Sequence, residues 1–155
     1  MVTYHQGNFE PKNPQKMIGK SSPTWRSSWE LAFMNLLDNH PNVLQWASEP
    51  LEIPYRNPLT GKQTIYIPDF LIIYIDKAGG RHGEIVEIKP LKETSMEHAK
   101  TTRDKAAVAV NTAKWKAAIQ FCLHQGLTFR ILTEESLFSQ QMKTAPKRSV
   151  RKRRK

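Results

Sequence analysis

A chain of 155 residues fits one domain, large enough to bury a core without staples. Its single cysteine, Cys122, excludes an internal disulfide; no CxxC or HxxxH spacing suggests a zinc site, and no apolar run nears the ~18 residues a membrane helix needs. The net charge of +10 is unevenly spread, since residues 29–142 hold 12 basic against 13 acidic side chains, so a nearly neutral body carries two basic ends.

Residues 1–24 mix Pro, Asn, Gly and Lys without periodicity and predict an extended basic arm. Apolar Trp25, Trp29, Ala32, Phe33, Leu36 and Leu37 recur at three- and four-residue steps and predict a helix. Ser22 is its expected cap and Pro23 its first residue; Pro41 forbids continuation past "DNHP". "NVLQWASE" and "LEIPY" read as short strands, and "RNPLTGK" as a turn into one long strand, "QTIYIPDFLIIYID". Gly79, Gly80 and Gly83 mark a tight reversal into "EIVEIKP".

From Leu91 to Gln125 there is no proline or glycine, and Thr94 with Glu97 has capping-box spacing. One long helix, or two kinked near Thr101–Thr102, is expected there, with Val108, Trp115, Ala118, Ile119 and Cys122 facing the core. Gly126 ends it, "LTFRILT" is a further strand, and "EESLFSQQM" a short helix. The expected fold is α/β, a mixed central sheet flanked by helices in the order αβββαβ, with the folded domain over residues 25–140. Residues 141–155 form an expected disordered tail containing Lys143, Lys147, Arg148, Arg151, Lys152, Arg153, Arg154 and Lys155 and no acid. Such a tail attracts phosphates by sequence-blind electrostatics, or docks on an acidic protein surface.

Two acids and a lysine interrupt the apolar hairpin strands: Asp69 in one, Glu87 and Lys89 in the next. An unpartnered ion on a buried strand costs several kcal/mol. Alternation puts Glu87 and Lys89 on one face, and the turn at Gly79–Gly80 brings Asp69 within two or three positions of them. Two carboxylates are hard oxygen ligands suited to Mg²⁺, with Mn²⁺ as a substitute, and a lysine can orient water or stabilise charge at phosphorus. These are the parts of metal-dependent phosphodiester hydrolysis. The bland alternative is an exposed Glu–Lys pair worth under about 1 kcal/mol. Glu30 has two readings of its own, as the far acid of a Ser27-x-x-Glu30 capping box or as a carboxylate reaching over the sheet.

The order of a helical Glu30, Pro68-Asp69, then Glu87-Ile88-Lys89 on the next strand resembles the PD-(D/E)xK nuclease superfamily, with its restriction-endonuclease-like fold. "WELAFMNLLDNHPNVLQWASEPLEIPY", "IPDF", "EIKP" and "AKWKAAIQFCLHQGLTFRILTEESL" look more closely like the TnsA-like branch, over roughly residues 25–138. Size and basic ends are similar to the head completion nucleases of T4-like bacteriophages. The resemblance implies Mg²⁺-dependent DNA cleavage at ends or junctions, late in head assembly. Asp69 and Glu87 would be metal ligands, Lys89 the catalytic lysine, and Glu30 the helical acid. It also implies DNA as partner, with a portal or head protein as a further one, and a virion-associated place in the host cytoplasm. No second DNA-binding domain accompanies the core, so contacts to DNA are expected to be largely sequence-independent.

The alternative function is a non-catalytic DNA-end-binding or head-closure protein built on this scaffold. A sequence-specific restriction-type enzyme is disfavoured, because no added recognition element is visible. Among remaining residues, His82 sits in the glycine turn, either touching phosphate or, more in keeping with its surroundings, simply solvated. Lys92, Lys100, Arg103, Lys105, Lys114 and Lys116 either line a DNA groove or form a solvated helix face. Trp46 and Trp115 read as core anchors, and Cys122 as inert packing.

Overall fold

The computed structural model describes residues 6–136. Two short strands, β1 (Gly7–Asn8) and β2 (Thr24–Trp25), pair antiparallel ahead of helix α1 (Ser28–Asn39). The helix starts later than expected. Thr24 and Trp25 are committed to the β1 pairing, and Ser27, not Ser22, is the N-cap, accepting the Glu30 N–H at 3.1 Å. Its end before Pro41 follows the sequence reading.

Four strands form the central sheet: β3 (Val43–Ser48), β6 (Phe70–Ile75), β7 (Arg81–Ile88) and β8 (Thr128–Leu132), in that spatial order. The first three run antiparallel to their neighbours, and β7 and β8 are parallel. Helix α2 (Thr102–Gln125) supplies the crossover between them. Leaving aside the other strands, the core order is αβββαβ, as expected.

The long strand expected over 63–76 is two strands in two sheets. β5 (Gln63–Tyr66) pairs with β4 (Ile53–Arg56) in a separate hairpin, and the chain turns at Ile67-Pro68-Asp69 before entering the central sheet. Proline lacks the N–H that a continuous ladder requires there. The α2 start also differs. Leu91–Glu93 is a single 3₁₀ turn, and the capping box belongs to Thr101 and Asp104, not to Thr94 and Glu97. This is one helix, not two. Gly126, with φ of 71°, closes it in the left-handed conformation that glycine adopts without strain. Of the stripe expected to face the core, Ile119 is exposed while Val108, Trp115, Ala118 and Cys122 are buried. Gly83 is a strand residue, not a turn residue, and a Cβ there would meet Leu127. In the final expected helix, residues 134–136 are helical, and the remainder lies outside the described residues.

Each face of the sheet has its own core. Phe33, Met34 and Leu37 of α1 pack with Trp46, Phe70, Ile72, Val86, Ile88 and Leu132. On the other face, Trp115 and Ala118 of α2 pack with Ile53, Tyr55 and Tyr66 of the β4–β5 hairpin. The amino-terminal segment read as an extended arm is docked on the first core. Phe9 is buried against Trp46, Ile18 N–H donates to the Trp46 carbonyl at 2.9 Å, and buried Asp38 accepts the Lys12 and Asn13 N–H groups at 2.8 and 3.1 Å. Aperiodic sequence hid this, because apolar Phe9 and Met17 and backbone bonds hold the segment without a repeating pattern.

Candidate active site

β7 sorts its side chains by parity. Val86 and Ile88 enter the α1 core, which leaves Glu87 and Lys89 on the α2 face. The β6–β7 register pairs Phe70 with Val86; carried one step further, it sets Asp69 opposite Glu87. Asp69 leaves the ladder at the proline bend, and its Oδ2 accepts the Ile88 N–H at 2.8 Å. Its carbonyl is tied to β3 by the Glu49 N–H, also at 2.8 Å. Glu49 has a φ of 50°, uncommon for a residue with a side chain, and ion pairs to Lys20 and Arg26 at 3.2 and 2.7 Å restrain it.

Glu87 is 4% exposed. Its Oε1 accepts the Tyr66 hydroxyl at 2.8 Å, and its Oε2 lies 3.8 Å from Lys89 Nζ. Lys89 is half-buried, and its N–H donates to the Leu132 carbonyl at 3.0 Å, continuing the parallel ladder. Three of the four residues selected from the sequence, Asp69, Glu87 and Lys89, are thus brought together on one face. Glu30 approaches from the first turn of α1. Its Oε1 accepts the Arg26 N–H at 2.9 Å, and its charge is felt by Asp69. Both readings of Glu30 find part of their geometry: it closes the turn before the helix and also borders the acid pair.

Electrostatics set the two acids apart from the surface. Burial pushes the Asp69 carboxyl from 3.8 up to about 8, the Glu87 charge adding and the Ile88 amide opposing. Burial raises Glu87 as well, against the Tyr66 hydroxyl, Lys89 and Lys114. Burial, helped by Glu87, keeps the Tyr66 phenol above its ordinary range, so it remains a donor. Two neighbouring carboxylates in a desolvated place each disfavour the other's charge, and a cation between them removes both penalties. The donor set fits a hard divalent ion. Among the described residues no group of three His, Cys, Asp or Glu is close enough to share a metal, and Mg²⁺ is commonly held by one or two carboxylates with waters completing its shell.

Beside Lys89 a cleft of about 710 Å³ opens between the α1 amino terminus and the turn after β7. Trp29, Glu30, Lys92, His98 and Lys100 line it with Lys89. Lys92 and Lys100 therefore border the site region. Arg103, Lys105 and Lys116 are solvent-exposed, and Lys114 is half-buried on the acid side. His82 is elsewhere. It lies near the hairpin turn, bonded to Asp76 at 2.6 Å and stacked on Tyr74, roughly 17 Å along the strand from Asp69 and Glu87 at ~3.3 Å per residue. Trp46 and Trp115 are buried as expected, and burial raises the Cys122 thiol, consistent with inert packing. Tyr66 escaped sequence reasoning, because its reach to Glu87 depends on the chain doubling back at Pro68. The eight basic tail residues lie outside the described residues.

Residues 40–134 match the TnsA-like endonuclease amino-terminal family. The chain belongs to that family. The match covers both site strands and α2 but begins after α1, so Glu30 lies ahead of it. The TnsA-like chain is also 37% identical over 144 residues to the head completion nuclease of Enterobacteria phage T4, an alignment covering 86% of this chain and 93% of that relative. The mixed α/β fold is that of a PD-(D/E)xK-like nuclease. No helix among the described residues is long and apolar enough to cross a membrane.

Proposed function

We propose that this chain is a metal-dependent DNA endonuclease that cuts phosphodiester bonds at DNA ends or junctions during phage head completion. The observation that carries the reading is Asp69 set opposite Glu87, with Lys89 beside Glu87, in a member of an endonuclease family. Similarity to a head completion nuclease along most of both chains supports the place in virion assembly. On this reading the protein works in the host cytoplasm and on the maturing head.

Asp69 and Glu87 would hold Mg²⁺ or Mn²⁺, which when bound supplies an activated water and a clamp on a phosphate oxygen. The chain's own groups prepare that arrangement. The Ile88 amide fixes Asp69 Oδ2, leaving Oδ1 available, and the Tyr66 hydroxyl fixes Glu87 Oε1, leaving Oε2 towards Lys89. The Lys89 ammonium orients the attacking water and faces the charge that develops on the phosphoryl oxygens. Glu30, bordering Asp69, is the auxiliary acid, and the basic tail gathers DNA through its phosphates.

Cleavage of plasmid and of end-bearing duplexes in Mg²⁺, comparing wild type with Asp69→Ala and Lys89→Ala, tests this. Each substitution is expected to cost at least ~100-fold in rate. Equal cleavage by all three proteins eliminates the assignment. The head-completion role in the phage relative's name also suits a head-closure protein that binds DNA ends without cutting. That reading requires DNA binding that survives Asp69→Ala, collapses when residues 143–155 are deleted, and proceeds without cleavage in any divalent metal.

A further inference from the structure

Two half-buried lysines in this protein have very different surroundings. Lys16 packs at the carboxyl end of α1, where its ammonium donates to the carbonyls of Leu37, Asp38 and His40 at 3.4, 3.0 and 2.7 Å. Its three donors are satisfied by the protein, and its role is to cap the helix. Lys114 on α2 has no such set. Its Nζ stands 5.9 Å from the Tyr55 ring centre and 5.6 Å from that of Tyr66, a loose cation–π seat. Among the described residues it makes no hydrogen bond or ion pair, although Glu87, Asp69 and Lys89 all act on its charge.

The seat is rigid. One turn earlier, Asn111 is buried and donates to the Glu93 carbonyl at 3.0 Å, locking α2 to the turn that follows Lys89. One residue later, Trp115 is anchored in the second core. The two tyrosine rings beneath Lys114 belong to the β4–β5 hairpin, and one of them, Tyr66, is the donor to Glu87. The ammonium is therefore held beside the acid pair, on the hairpin side, with donors open to whatever enters. Desolvating an ammonium without acceptors is unfavourable, so simple stability does not account for its placement. A half-buried lysine that only offset the acids would gain most by closing to within ion-pair distance of Glu87, as Lys89 does.

We infer that Lys114 is a DNA-backbone contact, gripping a phosphate that flanks the scissile one on the hairpin side of the site. The inference rests on the nuclease reading for the identity of the polyanion and deepens it. Lys89 and Lys114 rise from different elements and both act on Glu87, and together they set the line of the bound strand. This single contact fixes register along the backbone and carries no base information.

The test uses the full-length chain as wild type, Lys114→Met and Lys114→Arg. Duplex DNA binding is followed by fluorescence anisotropy across a series of NaCl concentrations in EDTA, and again in Ca²⁺. Loss of one phosphate contact is expected to weaken Lys114→Met by about five- to tenfold and to flatten its log–log salt slope by about one. Lys114→Arg is expected to restore most of both, and the melting temperature of Lys114→Met to stay level or rise. Unchanged affinity and slope in Lys114→Met, together with a lower melting temperature, overturns the inference and leaves Lys114 as a counter-charge for the acids. The binding readout does not depend on cleavage. A wild type that binds but never cuts removes the nuclease reading, whereas an altered salt slope would still establish the phosphate contact.

Discussion

The two faces of β7 put opposite demands on adjacent residues of one strand. Val86 and Ile88 fill the α1 core, where they pack with Phe33, Met34, Leu37 and Phe70 and the gain is burial. Glu87 and Lys89, between and beyond them, face α2 and the hairpin, where the neighbours are Asp69, Tyr66 and Lys114. The first face stores stability. The second spends it, since two carboxylates are kept in a setting that resists their charge, and the gain must come from what binds there. A single strand can do both because its side chains alternate with a period of two.

The largest expected contrast comes from neighbouring substitutions. Glu87→Gln should lower cleavage by ~10³-fold, about 4 kcal/mol of transition-state stabilisation, while the melting temperature of the metal-free protein holds or rises. Ile88→Ala should do the reverse. It removes a buried side chain, costing ~2–5 kcal/mol and lowering the melting temperature by roughly 10 °C, with kcat of the folded fraction close to wild type. If Glu87→Gln instead unfolds the protein, the division between faces is wrong.

A smaller effect sharpens the electrostatic half. Burial and the Glu87 charge push the folded Asp69 carboxyl well above its ordinary range, so the folded state holds its proton more tightly than the unfolded chain. Stability from this group is complete below the unfolded value and is lost as pH rises through the folded one. The metal-free protein should thus melt several degrees lower at pH 8 than at pH 5. Asp69→Asn should flatten that dependence, and added Mg²⁺ should raise the melting temperature most at the alkaline end. Differential scanning fluorimetry across pH, with EDTA and with Mg²⁺, measures this. Least of all, Tyr66→Phe removes one hydroxyl that orients Glu87 Oε1. About tenfold in kcat, with KM nearly unchanged, is expected of a positioning residue, and a wild-type kcat would show that the bond serves packing alone.

Much of the site was legible because its signals are local. Glu87 and Lys89 share a face by parity, and the glycine turn at Gly79–Gly80 has a geometry that sequence can count, so Asp69 falls opposite Glu87. The break at Pro68 was legible only as a bend. That it divides two sheets depends on β5 finding β4 as partner, which no pattern within 63–76 reveals. Tyr66 and the particular role of Lys114 among six basic residues were hidden for the same reason: helix and strand periodicity orders residues within an element, not across the gap between two of them. The docking of residues 7–18 was equally invisible, since Asp38, an unremarked helix residue, accepts two of its backbone N–H groups.

By itself, the order of residues determined the core αβββαβ succession and that an acid, a second acid and a lysine share one sheet face. Those properties follow from turn chemistry and from side-chain alternation, which act over a few residues. Tertiary structure alone decided what surrounds that face. Which lysine of α2 is turned inward, which tyrosine holds Glu87, and how far burial moves Asp69 are all set by packing between segments distant along the chain. Solvent exclusion and Coulomb interaction depend on distance through space, a quantity that sequence separation does not encode.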